Sequence, residues 1–330
     1  MKPRVAILLA TYNGAAYLPE LLAGLRRQTW SDYRLIVRDD GSVDATRMII
    51  AEAAEDDDRF QVLDDAAERF GPAQNFGRLL QTAYDGGADY ALFADQDDVW
   101  FDDKTARLLQ AAVAAGRDSG PDCPVLVHSD LIVVDERLRL RHPSLKRFAG
   151  QRSDASDPRR SLLAANHVTG CATLVNRALM RIALPFPRQI VMHDWWVAQC
   201  AATAGTIRYL PEPTMQYRLH SGNTLGLPSL SEKLNVLRRE VRTDWRRRVD
   251  ETALAIDQVR ALKSRLEQLT SATTDESLAI VNAFLAAIDG KQTAWRKLAA
   301  LRNAGMLHIG FLRQAAFGAK LWALDRRKVA

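Results

Sequence analysis

Residues 90–100 read YALFADQDDVW, an apolar run that leads directly into a group of acidic side chains. The run from Tyr90 to Ala94 predicts a strand covered on both faces, because continuous apolar stretches are typical of buried strands in parallel sheets. Asp95-Gln96-Asp97-Asp98 follows where that strand ends. Functional sites in such sheets lie outside the carboxyl ends of the strands. The acidic group is therefore the first candidate for a functional site.

Two earlier apolar runs end in the same way. Val5 to Ala10 leads into Thr11-Tyr12-Asn13-Gly14, and Leu35 to Val37 leads to Asp39-Asp40-Gly41-Ser42. Strand and helix alternate over the first ~130 residues, which predicts a doubly wound α/β sheet with helices on both faces. The predicted elements are strands Val5–Ala10, Leu35–Val37, Phe60–Leu63, Tyr90–Ala94 and Val125–His128, and helices Tyr17–Gln28, Asp44–Ala54, Ala73–Tyr84 and Asp103–Ala115.

The chain changes character at about residue 228. Between residues 130 and 227 the pattern is mixed, and beyond Pro228 the apolar spacing is helical. We therefore expect an α/β domain over 1–227 and a basic helical C-terminal region over 228–330. The predicted elements are a polar loop at Gln151–Arg160, strands at 169–176 and 206–218, a helix from about Asp194, and helices at about 230–270, 275–288 and 291–325.

Composition narrows the class of protein. The 330 residues are 47% hydrophobic and 26% charged, which fits a globular chain rather than a disordered or fibrous one. Its three cysteines, Cys123, Cys171 and Cys200, form no C-x-x-C pair, which excludes a cysteine zinc cluster and a disulfide scaffold. The longest uncharged run has 16 residues, and the N-terminus lacks a signal-peptide pattern. We expect a cytoplasmic protein without a membrane span.

Charge is unevenly distributed along the chain. Residues 228–330 contain 19 Lys and Arg against 11 Asp and Glu, a net charge of +8, whereas residues 1–227 carry −3. Within 291–330 there are nine basic residues and one acidic residue, Asp325. On charge alone, this end predicts an anionic partner, either nucleic acid or anionic lipid. A solvated helical surface and a helix pair packed on the body or on a second subunit are the alternatives.

The spacing Asp95-x-Asp97 suits a divalent cation. One or two carboxylates, completed by phosphate oxygens, are the usual ligands of Mg²⁺, and hard oxygen ligands favour Mg²⁺ or Mn²⁺. A solvated acidic turn is the alternative for an isolated D-x-D triplet. The apolar flanks, Leu92 to Ala94 and Val99-Trp100, favour a functional role.

The polar groups after the first two strands suit nucleotide binding. Carboxylates at Asp39 and Asp40 can accept hydrogen bonds from a nucleobase or from ribose hydroxyls, although an Asx turn with a capped helix is the alternative. Thr11-Tyr12-Asn13-Gly14 ends the first strand in a comparable way. The chain has neither G-x-G-x-x-G nor G-x-x-x-x-G-K-[ST], which disfavours a dinucleotide fold and a P-loop.

Two later segments add candidates for catalysis. Asp194 follows His193 at the start of a predicted helix, where it can act as a general base or simply cap the helix. His193 is the competing base, because imidazole titrates near neutrality. His220, beside Arg218, is a candidate third metal ligand or phosphate contact.

With these groups in order, residues 4–227 resemble glycosyltransferase family 2, which has the GT-A fold, and most of all its rhamnosyltransferase-like branch. Phe70 departs from the family pattern, which usually has Asn before the glycine. The segments that carry the resemblance are Ala10-Thr11-Tyr12-Asn13-Gly14, Gln28-Thr29-Trp30, Asp39-Asp40-Gly41-Ser42-Val43-Asp44, Asn75-Phe76, Asp95-Gln96-Asp97-Asp98-Val99-Trp100, His193-Asp194 and Tyr217-Arg218-Leu219-His220-Ser221-Gly222-Asn223.

The resemblance implies transfer of a sugar from a nucleotide-sugar donor, with inversion, to a saccharide or lipid-linked saccharide in cell-surface polysaccharide synthesis. It implies Asp194 as the base, and Mg²⁺ or Mn²⁺ held by Asp95 and Asp97; we expect His220, from its place beside Arg218, as the third ligand. For the basic end we expect an anionic membrane surface rather than nucleic acid, or a homodimer formed through the C-terminal helices. The donor-binding residues are expected to be Thr11, Tyr12, Asn13, Asp39, Asp40, Asn75, Asp95 and Gln96.

Two other classes of function compete with the transferase. Asp95-Gln96-Asp97-Asp98-Val99 also fits the D-x-D-x-[TV] pattern of haloacid-dehalogenase-type phosphohydrolases. In those enzymes the motif follows the opening strand, whereas here it follows the fourth predicted strand and leaves Asp39 and Asp40 unexplained. A non-catalytic protein that binds sugar nucleotides is the second alternative.

Overall fold

The computed structural model describes residues 2–65, 69–150, 157–220, 241–269, 272–307 and 311–327. The strands are β1 (Val5–Thr11), β2 (Tyr33–Asp39), β3 (Phe60–Val62), β4 (Tyr90–Asp95), β5 (Val99–Trp100), β6 (Val125–Asp135), β7 (Leu140–His142), β8 (Thr173–Asn176) and β9 (Thr206–Leu219). The helices are α1 (Leu18–Arg26), α2 (Thr46–Glu55), α3 (Gly71–Asp85), α4 (Lys104–Ser119), α5 (Leu145–Phe148), α6 (Pro158–Ala164), α7 (Arg177–Ala183), α8 (His193–Ala204), α9 (Val241–Leu266), α10 (Ala272–Asp289), α11 (Ala294–Asn303) and α12 (Phe311–Arg327).

The strands form one mixed sheet in the order β3-β2-β1-β4-β8-β6-β9-β5, with β7 paired to β6. Strands β3, β2, β1 and β4 run parallel, β8 is antiparallel to both of its neighbours, and β9 lies parallel to β6. The chain passes from β1 to one side of the sheet and returns to β4 on the other side. This order confirms the predicted doubly wound sheet and places the switch point between β1 and β4.

Strand β1 lies at the centre and is apolar on both faces. Val5, Ile7 and Leu9 belong to one hydrophobic core, and Ala6 and Leu8 belong to the other. The continuous apolar run is explained by this position, because a strand covered on both faces cannot alternate with polar residues. The carboxyl ends of β1, β2 and β4 therefore emerge side by side.

Helices cover both faces of the sheet. Helices α1, α2 and α4 pack on one face, and α3, α6, α7 and α8 pack on the other. The C-terminal helices extend the second core, since Val259, Phe284, Leu301 and Leu321 are buried together with Trp196 of α8. The predicted boundary near residue 228 falls outside the described residues. None of the helices in the described part of the chain combines the length and the low charge that crossing a bilayer requires.

Several elements differ from those predicted. Strand β6 continues through His128-Ser129-Asp130 to Asp135, because these polar side chains are buried within the sheet rather than marking its edge. Helix α7 was not predicted; it begins where the side chain of Asn176 accepts a hydrogen bond from the backbone N–H of Leu179 at 3.0 Å. Helix α6 starts at Pro158, inside the predicted loop, and residues 151–156 of that loop lie outside the described residues.

The side chain of Gln28 connects helix α1 to the loop at Phe101 and to the start of helix α4. Its buried amide donates to the backbone oxygens of Gly24 and Phe101 at 3.1 and 2.8 Å. Its carbonyl oxygen accepts from both the backbone N–H and the hydroxyl of Thr105, at 2.9 and 2.8 Å. All hydrogen-bonding capacity of the amide is thus used to hold α1 against the start of α4.

We expect Gln28→Met to lower the free energy of unfolding by about 3 kcal/mol, because it leaves buried polar groups of Thr105 and Phe101 without their partner. Urea unfolding followed by circular dichroism measures the change. The control is Gln110→Met on the exposed face of α4, which should change stability by no more than about 0.5 kcal/mol. Equal stability of the two variants would contradict the role of Gln28.

Candidate active site

A cavity of about 440 Å³ opens at the carboxyl ends of β1, β2 and β4, next to the starts of α3 and α8. Two predicted donor-binding residues, Asn13 and Asp39, do not line it. The predicted residues that line it are Thr11, Tyr12, Asp40, Asn75, Asp95, Gln96, Asp97, Asp194 and His220. The structure therefore brings together side chains that are up to 209 positions apart, between Thr11 and His220.

A larger cavity, of about 920 Å³, lies at the opposite end of the sheet. It is an open groove beside Arg4, Asp89 and Arg177, and two of these, Arg4 and Asp89, form an ion pair with each other. None of the strand-end carboxylates lines it. The smaller cavity is therefore the candidate active site.

Gln96 joins the ends of β1 and β4 across the switch point. Its side-chain oxygen accepts from the backbone N–H of Tyr12, and its amide donates to the backbone oxygen of Tyr12, both at 2.9 Å. A Cβ atom at position 14 would lie 2.1 Å from the Gln96 oxygen, so a larger residue there would displace the Gln96 side chain from Tyr12. The Thr-Tyr-Asn-Gly turn is thus fixed to the acidic loop.

The carboxylate of Asp39 is hydrogen-bonded by neighbouring protein groups on both of its oxygens. One carboxylate oxygen accepts from the hydroxyls of Thr11 and Ser42, and the other accepts from the backbone of Gly41 and Ser42 and from Arg47. Burial alone would raise the pKa of Asp39, but these hydrogen bonds outweigh it and hold the pKa below its usual value. The carboxylate is saturated by the protein itself.

Asn13 is also engaged within the loops. It adopts the left-handed conformation, with φ of 48°, which asparagine tolerates better than most residues. Its side-chain oxygen accepts from the backbone N–H of Val43 at 2.9 Å, and its own N–H donates to the Ser42 hydroxyl at 2.8 Å. Asn13 thus ties the first loop to the second, outside the cavity lining.

Asp40 lines the cavity beside a fully buried arginine that sequence reasoning missed. Arg38 pairs with Asp40 at 2.9 Å and with Asp65 at 2.7 Å, and it donates to the side-chain oxygen of Asn75 at 3.2 Å. The remaining oxygen of Asp40 accepts from the backbone N–H of Gly71 at the start of α3. The signal in the sequence was the position of Arg38 directly after the apolar run Leu35–Val37, because a charge buried at the end of such a run requires a partner.

A second missed residue, Arg69, covers the aromatic ring of Tyr12. The guanidinium lies 3.9 Å from the ring centroid, and both residues line the cavity. The Tyr12 side chain is partly exposed, so this stack forms a flat surface at the cavity mouth. Arginine and aromatic planes of this kind are suited to stacking on a planar ligand group.

The acidic motif divides into a deep part and a part that faces the cavity. Ligand atoms of Asp95, Asp98 and Cys171 lie within 4.8 Å of one another. Burial, together with the neighbouring charges of Asp97 and Asp194, raises the pKa of Asp95 to about 7. Burial also raises the pKa of Asp98 well above its usual value. Neither Asp98 nor Cys171 lines the cavity.

Lys104 is the cation of the deep part, and the sequence reasoning missed it as well. Its buried ammonium donates to the backbone oxygen of Cys171 at 2.5 Å and lies 3.5 Å from the Trp100 ring centroid. Burial lowers the pKa of Lys104 to about 7, and the charges of Asp98 and Asp95 act in the opposite direction. A positive group at this depth disfavours a second metal ion there.

Asp97 and His220 meet on the cavity side of the motif. A carboxylate oxygen of Asp97 lies 2.7 Å from Nε2 of His220, and both residues line the cavity. The backbone oxygen of Asp97 accepts from Arg218 at 2.9 Å, and Arg218 also pairs with Glu20. A carboxylate oxygen and an imidazole nitrogen that converge in this way form a donor set for a divalent cation.

Asp194 lies at the start of α8 and faces the other side of the cavity. Its carboxylate accepts from the side-chain amide of Asn166 and the backbone N–H of Gly170, both at 3.0 Å, and from its neighbour Trp195. Burial raises the pKa of Asp194 to about 6. The hydrogen bonds oppose this shift and fix the orientation of the carboxylate.

His193 has a different environment. Its ring is packed against Phe76 and Phe93, with ring centroids 4.0 and 5.0 Å away. Burial lowers the pKa of His193 to about 3, so the imidazole is neutral and weakly basic near pH ~7. This environment favours Asp194 over His193 as the group that accepts a proton.

Comparison with known proteins agrees with this geometry. The family model described as glycosyl transferase family 2 matches residues 6–170. The dTDP-rhamnosyl transferase RfbG of Shigella flexneri is 26% identical over 250 residues, which cover 73% of this chain and 81% of that protein.

Two solved structures share the fold. The mannosyltransferase PcManGT from Pyrobaculum calidifontis, in complex with GDP-Man and Mn²⁺, has a TM-score of 0.55 at 18% identity over 99% of this chain and 81% of that chain. TarS 1–349 of S. aureus, in complex with UDP-GlcNAc, has a TM-score of 0.54 at 15% identity over 98% and 92% of the two chains. Together with the family match, these similarities confirm the predicted GT-A fold. The chain belongs to glycosyltransferase family 2.

Proposed function

We propose that this protein is an inverting, metal-dependent glycosyltransferase that moves a sugar from a nucleotide-sugar donor to a hydroxyl group of a saccharide or lipid-linked saccharide. The observation that carries the proposal is the single cavity in which Asp194 faces the strand-end groups Asp40, Asp95 and Asp97. Cell-surface polysaccharide synthesis in the cytoplasm is the proposed setting. Family membership argues against the phosphohydrolase, whose nucleophile would be Asp95.

The donor is proposed to bind at the ends of β1 and β2. Tyr12 and Arg69 offer a stacking surface for a nucleobase, and Asp40 and Asn75 lie on the same wall. Asp39 and Asn13 support this wall from behind, through their bonds to the loops. We propose dTDP-rhamnose as the donor because the relative RfbG is named for that activity, and UDP-hexoses are the alternative to test.

The residues around Asp97 fit a divalent cation. The carboxylate of Asp97 and Nε2 of His220 already converge at the cavity wall, and Asp95 lies beside them. We propose that these groups hold Mg²⁺ or Mn²⁺. When bound, the cation would stabilise the negative charge that develops on the leaving diphosphate. The protein's own part is to hold the ligands in place, through Gln96, which fixes the loop, and Arg218, which anchors the backbone of Asp97.

Asp194 is proposed to accept the proton of the acceptor hydroxyl. The hydroxyl oxygen forms the new bond to the anomeric carbon as the bond from that carbon to the diphosphate breaks, and the proton passes to the carboxylate. Attack from the face opposite the leaving group inverts the configuration. A pKa of about 6 leaves the carboxylate mostly ionised near pH ~7 and makes it a stronger base than an exposed aspartate.

The metal assignment predicts coupled binding. We expect Mn²⁺ to tighten binding of a nucleoside diphosphate roughly 5- to 150-fold in the unmodified protein, because cation and diphosphate stabilise each other. Asp97→Ala and His220→Ala should lose this gain. Calorimetric titration with dTDP and with UDP, in the presence of Mn²⁺ or of a chelator, measures the change in affinity.

Asp118→Ala, at an exposed position outside the cavity lining, is the matched control and should keep the gain in affinity. Equal affinity of the unmodified protein with and without Mn²⁺ would reject the metal assignment.

The base assignment predicts a loss of rate without a loss of donor binding. Asp194→Asn keeps the shape of the side chain but cannot take a proton, so transfer should fall ~10²–10⁴-fold. In the unmodified protein the rate should decline as pH falls below about 6, because the base must be ionised. Steady-state transfer from dTDP-rhamnose and UDP-hexoses, with calorimetry for donor affinity, tests both expectations.

Asp157→Asn is the matched control, because Asp157 caps α6 and asparagine caps about as well as aspartate. Its transfer rate should remain near that of the unmodified protein. Near-normal transfer by Asp194→Asn would remove Asp194 from the mechanism, and collapse of His193→Ala alone would assign the role to His193. Donor binding without turnover by the unmodified protein would favour a non-catalytic function.

A further inference from the structure

The seam between α11 and α12 exposes two tryptophans. Trp295 is 62% exposed and Trp322 is 49% exposed, whereas Trp100 and Trp196 are buried in the cores. A Cβ atom at Gly318 would lie 3.5 Å from the ring of Trp295, and Trp322 lies one turn further along α12. Both rings therefore border the same seam, on the side that faces away from the core.

Exposed arginines lie on the same two helices as these rings. Arg296 and Arg302 on α11 and Arg326 on α12 are exposed, and the Arg326 guanidinium lies 4.2 Å from the Trp322 ring centroid. Asp325 is the single acidic residue in the sequence from 291 to 330, and Lys297 neutralises it at 2.8 Å. We call Trp295, Trp322, Arg296, Arg302 and Arg326 the tryptophan–arginine face.

This face is smaller than the surface that the sequence suggested. Helical spacing alone predicts that the whole apolar side of these helices is available to a partner. In the structure, Leu301, Met306, Phe317 and Leu321 are buried in the core shared with α8. Lys297 is buried as well. Ile309 and Lys328 lie outside the described residues, as do the side chains of 311–313.

We propose that the tryptophan–arginine face docks on a bilayer that contains anionic phospholipids. Tryptophan prefers the headgroup level of a membrane, where its ring is apolar and its N–H stays hydrated. Exposed arginines beside it would contact lipid phosphates. The nearby carboxylate of Asp250 on α9 is paired with Arg327, so it does not take up the charge of the arginines of this face. Two copies of this face would bring like charges together, which disfavours a homodimer through it. The docking does not depend on which donor or acceptor the cavity binds.

The test is flotation of the full chain with vesicles of phosphatidylcholine alone or mixed with phosphatidylglycerol. We expect binding only to the mixed vesicles, weakened by salt. The triple variant Arg296→Gln, Arg302→Gln, Arg326→Gln should reduce partition roughly 100-fold. The double variant Trp295→Ser, Trp322→Ser should reduce it at the same salt concentration.

Two matched controls carry the same chemical changes elsewhere on the surface. Arg34→Gln, Arg117→Gln, Arg137→Gln removes three exposed charges, and Met48→Ser, Leu140→Ser removes two exposed apolar groups. Both should bind as the unmodified protein does. Equal binding by all variants, no binding to anionic vesicles at low salt, or a dimer in sedimentation velocity that the tryptophan variant abolishes would overturn the proposal.

Discussion

The crowding of carboxylates at one edge of the sheet is the constraint on which this structure depends. Each negative charge that leaves water there must be offset, because an isolated buried carboxylate is prohibitively costly. Asp39 is offset by hydroxyl and backbone donors, and Asp40 by the buried Arg38. Asp98 lies near Lys104, and burial raises its pKa well above the usual value. The turn after β2, the start of α3 and Arg38 supply the donors that meet this requirement.

The way each charge is offset also decides which carboxylates are available to a ligand. Asp39 accepts from donors on both oxygens and has no capacity left for a nucleotide. Asp97 faces the cavity with the imidazole of His220 at one oxygen, so a cation could bind between the two side chains. Asp194 is held by donors that leave its pKa above the usual range, so it remains basic. Structural and functional aspartates thus differ in their partners rather than in their positions along the motifs.

The features that could be predicted from the sequence are those that depend on the pattern of neighbouring residues. The apolar runs of β1, β2 and β4 and the polar groups at their ends required no knowledge of distant residues. Strand β6 was cut short because buried His128 and Asp130 resemble a strand end in a single sequence. The pairing of Asp97 with His220, 123 positions apart, is set by strand β9 lying beside β5 and β6, and only tertiary structure reveals that order. Helical spacing likewise showed that the C-terminal helices are amphipathic, but not what covers them.

The C-terminal helix α9 supports the segment that leads into the candidate active site. Gln258 of α9 is fully buried, donates to the side-chain oxygen of Gln199 on α8 at 2.9 Å and accepts from the backbone N–H of Val191 at 2.9 Å. Val191 lies three positions before Asp194, so α9 holds the segment that delivers the proposed base to the cavity. The strand-end groups, by contrast, are fixed by β1, β2 and β4. The two walls of the cavity therefore rest on different parts of the chain, and one hydrophobic core joins them, because it contains Leu8 of β1, Phe93 of β4, Trp196 of α8 and Val259 of α9.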